Sequence, residues 1–116
     1  MANREDVQAF LNDFKVKLGI WNVIYLDKRP KNLQTLLDLE ITPYQRTEIL
    51  RSLTVIDYSE GPLEEKAYGG SDMWVFGKEV KKQEVYIKVT VGFASKPVLC
   101  ISFHIAEHKM KYPFKK

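Results

Sequence analysis

Tyr86, Lys88, Ser102 and His104 have the side-chain types and the spacing to move protons beside a phosphate. Residues 84–91 alternate, with Val85, Ile87, Val89 and Val91 on one side and Glu84, Tyr86, Lys88 and Thr90 on the other. In a strand successive side chains point to opposite faces, so the aliphatic row belongs to the core. Residues 98–105 alternate as well, with Leu99, Ile101 and Phe103 as the core row and Val98, Cys100, Ser102 and His104 opposite. A symmetric hairpin loop over residues 93–97 would pair Thr90 with Cys100, Lys88 with Ser102 and Tyr86 with His104. Directly opposed side chains in an antiparallel pair have Cβ atoms about 5 Å apart. A phenol, an ammonium, a hydroxyl and an imidazole are therefore expected together on one sheet face.

That set suits attack on an RNA phosphodiester by its own 2′-hydroxyl. The reaction needs a base for the 2′-OH proton, an acid for the leaving 5′-oxygen and cations for the crowded phosphate oxygens. It does not require a metal. His104 supplies an imidazole, the side chain best suited to act as acid or base at physiological pH. Lys88 offers three donors and a positive charge. Tyr86 can donate to a phosphate or stack on a base. The plainer reading of the same residues is a solvated strand face with an incidental histidine. Other chemistries fit less well. His104, His108 and one cysteine make a poor metal site, and no phosphate-binding glycine loop occurs, so neither metal nor cofactor is expected. Cys100 and His104 lie about 13 Å apart along one strand, too far for proton transfer.

The elements that must position this face read as one α+β domain over residues 1–116. Residues 4–18 form a helix, with Val7, Phe10, Leu11, Phe14 and Leu18 at helical spacing, Asn3 as cap and Gly19 at its end. Residues 20–26 read as a strand and 33–39 as a short helix presenting Leu33, Leu36, Leu37 and Leu39 to the core. Thr42-Pro43-Tyr44-Gln45 is a capping box with proline at the first helical position. Ile49, Leu50 and Leu53 form that helix's apolar face, with Arg46 and Arg51 in solvent. Residues 54–71 read as a long loop with a short strand at 54–57 and turns at Gly61-Pro62 and Gly69-Gly70. Residues 72–80 read as a twice-covered strand in which Gly77 marks a bulge or a close backbone approach.

Charge is uneven. Residues 1–69 hold nine Lys/Arg against eleven Asp/Glu, and residues 70–116 hold nine Lys against four Asp/Glu, so the net +3 comes from the second half. A basic half suits a polyanionic partner. The tail, 106–116, interleaves Lys109, Lys111, Tyr112 and Phe114, a composition suited to single-stranded nucleic acid. One cysteine excludes an intrachain disulfide, and no apolar run reaches the ~18 residues of a membrane span. A cytoplasmic protein with no membrane attachment is expected.

The order of elements resembles the RelE-type toxin fold, and more narrowly the MqsR family of toxin–antitoxin endoribonucleases. The resemblance rests on Ile56-Asp57-Tyr58, Asp72-Met73-Trp74, residues 83–91 (QEVYIKVTV) and Cys100-Ile101-Ser102-Phe103. It covers residues ~40–105, and its most specific part is the Val-Tyr-Ile-Lys-Val strand. It implies a mainly antiparallel sheet with a three-stranded C-terminal meander packed by N-terminal helices. It implies an mRNA interferase acting on mRNA, free or on the ribosome, and neutralised by a DNA-binding antitoxin. Tyr86 matches the family's strand tyrosine and Tyr58 its loop tyrosine. Ser59, Val75 and His104 stand where the family carries lysine, glutamine and lysine. The catalytic set is then Tyr86, Lys88 and His104, with Tyr58, Lys78, Ser102, Lys109 and Lys111 as RNA contacts. The alternative is a non-catalytic module that binds a partner protein or RNA.

Overall fold

A computed structural model of the chain describes residues 2–64 and 71–115. The expected Gly69-Gly70 turn and Lys116 at the end of the tail lie outside the described residues. The fold is α+β, with three helices and a five-stranded mixed sheet in the order β1-β5-β4-β3-β2.

Helix α1, Arg4–Trp21, starts on the expected cap, where Asn3 and Asp6 form a reciprocal capping box, and buries Val7, Phe10, Leu11, Phe14 and Leu18. It runs past Gly19, so Ile20 and Trp21 are helical rather than the start of a strand. Asn22 ends it at a φ of 69° and a ψ of −160°, with its amide donating to the Leu18 carbonyl. The strand that follows, β1, is only Val23–Tyr25, and it pairs parallel with the last strand.

Helix α2, Pro30–Leu39, begins three residues earlier than expected because Pro30 pre-sets the first helical position. The earlier start rotates the buried face onto Asn32, Thr35, Leu36 and Leu39. Leu33 and Leu37, expected in the core, are 48% and 72% exposed. Helix α3, Pro43–Arg51, opens on the expected Thr42–Gln45 capping box. Arg46, expected in solvent, is buried. Its guanidinium forks onto Asp27 at 2.9 and 3.1 Å and lies 3.4 Å over the Tyr25 ring. A planar, delocalised cation can sit between a carboxylate and an aromatic face in this way, where burial without a partner would be costly.

The expected strand at 54–57 is instead a single 3-10 turn, Val55–Asp57, closed by the Asp57 carboxylate on the Thr54 amide. Strand β2, Tyr58–Leu63, follows within the stretch read as loop, and Gly61-Pro62 lies inside it rather than at a turn. Proline is tolerated there because β2 is an edge strand with shifted register. Strand β4, Gln83–Thr90, pairs antiparallel with β3, Met73–Val80, on one side and with β5, Val98–Ile105, on the other, and β2 pairs antiparallel with β3.

One sheet face is closed by α1. Phe10 stacks on Trp74 at 4.9 Å and on Phe14 at 5.6 Å, with Phe76, Val85, Ile87 and Val89 in the same core. The β4–β5 register begins as expected, Tyr86 opposite His104 and Lys88 opposite Ser102, and then slips to Val89 opposite Cys100 and Thr90 opposite Leu99. Ile101 is the extra residue of a bulge. A bulge inverts the alternation beyond it. Val98 and Cys100 therefore turn into the core and Leu99 turns out of it, the reverse of the expected rows, while Ser102 and His104 keep theirs.

Candidate functional site: a basic groove on the open sheet face

The opposite face carries a groove of about 840 Å³. Tyr86 and Lys88 from β4 and Ser102 and His104 from β5 form its floor. Arg29 and Lys31 at the start of α2 form one bank, Ser59 and Glu60 of β2 the other, and His108–Lys111 close one end.

Asn32 holds the first bank in place. Strand β1 covers only three residues of β5, so among the described residues the outer edge of β5 beyond Cys100 lacks a strand partner. The Asn32 amide takes that role. It donates to the carbonyls of Leu26 and Ile101 at 3.0 and 3.1 Å and accepts from the Phe103 amide at 3.0 Å. With α2 docked this way, Arg29 Nη1 donates to Ser102 Oγ at 3.3 Å and its charge stands over the floor.

The rings of Tyr86 and His104 stack at 5.1 Å with 11° between their planes. His104 Nδ1 lies 3.0 Å from the Ile105 carbonyl. A carbonyl only accepts, so Nδ1 carries the proton and Nε2 is left to exchange one with a ligand. Lys88 Nζ sits 5.9 Å from the centre of the Tyr86 ring, at the outer limit of a cation–π contact. Burial pushes the Tyr86 hydroxyl above its ordinary value and the Glu60 carboxylate pushes it further, with Arg29 opposing. Tyr86 is thus a neutral donor at physiological pH and not a base.

The segment after β5 folds back over this face. Ala106 donates to the Glu84 carbonyl at 2.8 Å, and Glu107 pairs with Lys31 at 2.7 Å. The Glu84 side chain accepts from the Met110 amide at 3.1 Å and from the Tyr112 hydroxyl at 2.6 Å. The Phe114 ring stacks on Tyr58 at 5.5 Å. The expected close approach at Gly77 is here: a Cβ would collide with the Tyr112 hydroxyl and lie 2.8 Å from Met110 Sδ.

Of the residues read from sequence, Tyr86, Lys88, Ser102, His104, Lys109 and Lys111 come together in the groove. Two do not. Tyr58 is fully buried against Trp74, Phe76 and Phe114, with its hydroxyl on the Gly61 carbonyl. Lys78 shares the closed face with Val85 and is held by Asp57 at 3.0 Å. Neither can touch a ligand in the groove, because Asp57 at the end of the 3-10 turn draws Lys78 to the helix side and aromatic packing draws in Tyr58. Sequence reasoning missed Arg29, Lys31 and Glu60. The basic run Lys28-Arg29-Pro30-Lys31 at a helix start was a usable signal for the first two. Glu60 had none, because its strand was not foreseen.

Among the described residues no group of three His, Cys, Asp or Glu side chains could hold a metal ion. No described helix is long and apolar enough to cross a membrane. No family model matches the chain, no curated protein matches it in sequence and no solved structure matches it in fold.

Proposed function

We propose that the groove binds single-stranded RNA and cleaves it through the 2′-hydroxyl, as an mRNA interferase of a toxin–antitoxin pair with a RelE/MqsR-type arrangement of strands. The observation that carries this reading is the Tyr86–His104 stack, with His104 Nε2 open and Lys88 and Arg29 beside it. In the proposed reaction a base takes the 2′-OH proton and the 2′-oxygen attacks phosphorus. The P–O5′ bond breaks as an acid protonates the 5′-oxygen, leaving a 2′,3′-cyclic phosphate and a 5′-hydroxyl. His104 supplies one of the two proton transfers, and Glu60, whose field reaches Tyr86, faces the same groove for the other. Lys88 and Arg29 neutralise the phosphate and Tyr86 donates to it or stacks on a base. A cytoplasmic site of action and a DNA-binding antitoxin are the partners this reading implies.

The test is cleavage of a short RNA by the purified protein, beside a copy with 2′-deoxyribose throughout. The expected result is cleavage of the ribose form alone, with a loss of about 10²–10⁴ in rate for His104→Ala. Full activity in the His104→Ala/Tyr86→Phe double variant would remove the proposed site. The second reading is RNA or partner binding without turnover. It draws on Val75, which is buried beneath the groove where the family carries a glutamine. Binding with no cleavage at large protein excess would select it.

A further inference from the structure

We infer that residues 106–115 are a constructed wall of the groove, and that Gly77, Glu84 and Tyr112 are positioning residues that hold Lys109 and Lys111 against a bound polyanion. The inference rests on the reading of the groove as an RNA site and extends it to how RNA is held.

Glycine inside a strand costs stability and gives nothing to packing. At position 77 the missing side chain is where the Tyr112 hydroxyl and Met110 sulfur sit. Glu84 commits both carboxylate oxygens to this segment, one to the Met110 amide and one to the Tyr112 hydroxyl. That arrangement also occupies a negative charge that would otherwise face the same ligand as Tyr86, two residues along the same row. The segment is pinned at its near end by Lys31–Glu107 and at its far end by Phe114 on Tyr58, where Arg4 donates to the Phe114 carbonyl at 3.3 Å. Between these anchors Lys109 and Lys111 line the groove, and neither has a hydrogen bond or ion pair among the described residues. A backbone ordered in advance loses little further entropy when its lysines meet phosphates.

The experiment measures binding of a fluorescent uridine-rich RNA across a salt series. It compares the full chain, Gly77→Ala, Lys109→Ala/Lys111→Ala, and the three changes combined. Losing two phosphate contacts lowers the slope of log affinity against log salt by about 1.4 and weakens binding by about tenfold. Gly77→Ala, which touches no ligand, is expected to give the same drop in slope, and the combined variant no further drop. Tyr112→Phe repeats the comparison with a milder change if the alanine prevents folding. Losses that add, or a slope unmoved in both Gly77→Ala and Tyr112→Phe, would overturn the wall while leaving the groove intact. A full chain that does not bind RNA would overturn both.

Discussion

The two faces of β4 differ in where their partners come from. On the closed face Val85, Ile87 and Val89 meet Phe10, Phe14, Trp74 and Phe76, and burial of apolar area is the whole requirement. On the open face Tyr86 and Lys88 meet His104 and Ser102 from the neighbouring strand. Arg29, Glu60 and Lys109 arrive from three other segments of the chain. Apolar packing tolerates any partner of suitable size, whereas the bonds of Arg29 to Ser102 and of Asn32 to Ile101 and Phe103 each need one particular donor and acceptor. The first face is therefore written locally, and the second depends on how distant segments dock.

This contrast can be broken experimentally. Phe76→Ala should cost about 4 kcal/mol by denaturant unfolding, from lost transfer energy and a residual cavity. Lys88→Ala on the other face should change stability by less than about 0.5 kcal/mol. Comparable losses from the two would contradict the division. Asn32→Ala is expected to cost about 2 kcal/mol, since it strands the Phe103 amide and the Ile101 carbonyl together. It should also weaken RNA binding by releasing the Arg29 bank, an effect no core truncation of equal cost should copy.

A further effect appears at alkaline pH. Burial pushes the Cys100 thiol from about 9 up to about 12, and burial pushes Tyr25 up to about 12 against the opposing Thr47 hydrogen bond and Arg46 charge. Both keep their protons longer in the folded chain than in the unfolded one. The stability they contribute is complete below about pH 9 and is lost as the pH rises toward 12. Unfolding midpoints measured across that window should fall, and Cys100→Ala should flatten the first part of the fall. A midpoint that rises would contradict the burial of both groups.

The sequence was most legible where the signal is local. Five apolar residues at helical spacing set α1, Thr42 and Gln45 set the start of α3, and alternation in 84–91 set β4 and the Tyr86–His104 pairing. Several misreadings share one cause, a partner far away in sequence. Arg46 reads as solvated until Asp27 and Tyr25 come beside it. Asn32 shows no role until the uncovered edge of β5 requires an amide. Lys78 reads as a free cation until the 3-10 turn brings Asp57. The bulge at Ile101 has no composition cue, and it inverts Val98, Leu99 and Cys100 while sparing Ser102 and His104. That is why Ser102 and His104 keep the face expected of them while the first half of their strand does not.

The parallel pairing of β1 with β5 has a consequence for synthesis. Ribosomes release the N-terminal half first, yet β5 lies between β1 and β4, and Asn32 of α2 hydrogen-bonds to residues 101 and 103 of β5. An emerging polypeptide can form α1 and α3 early, but the cleft is assembled only once residues from both extremes have met. Such a cleft offers no binding surface until those parts have joined.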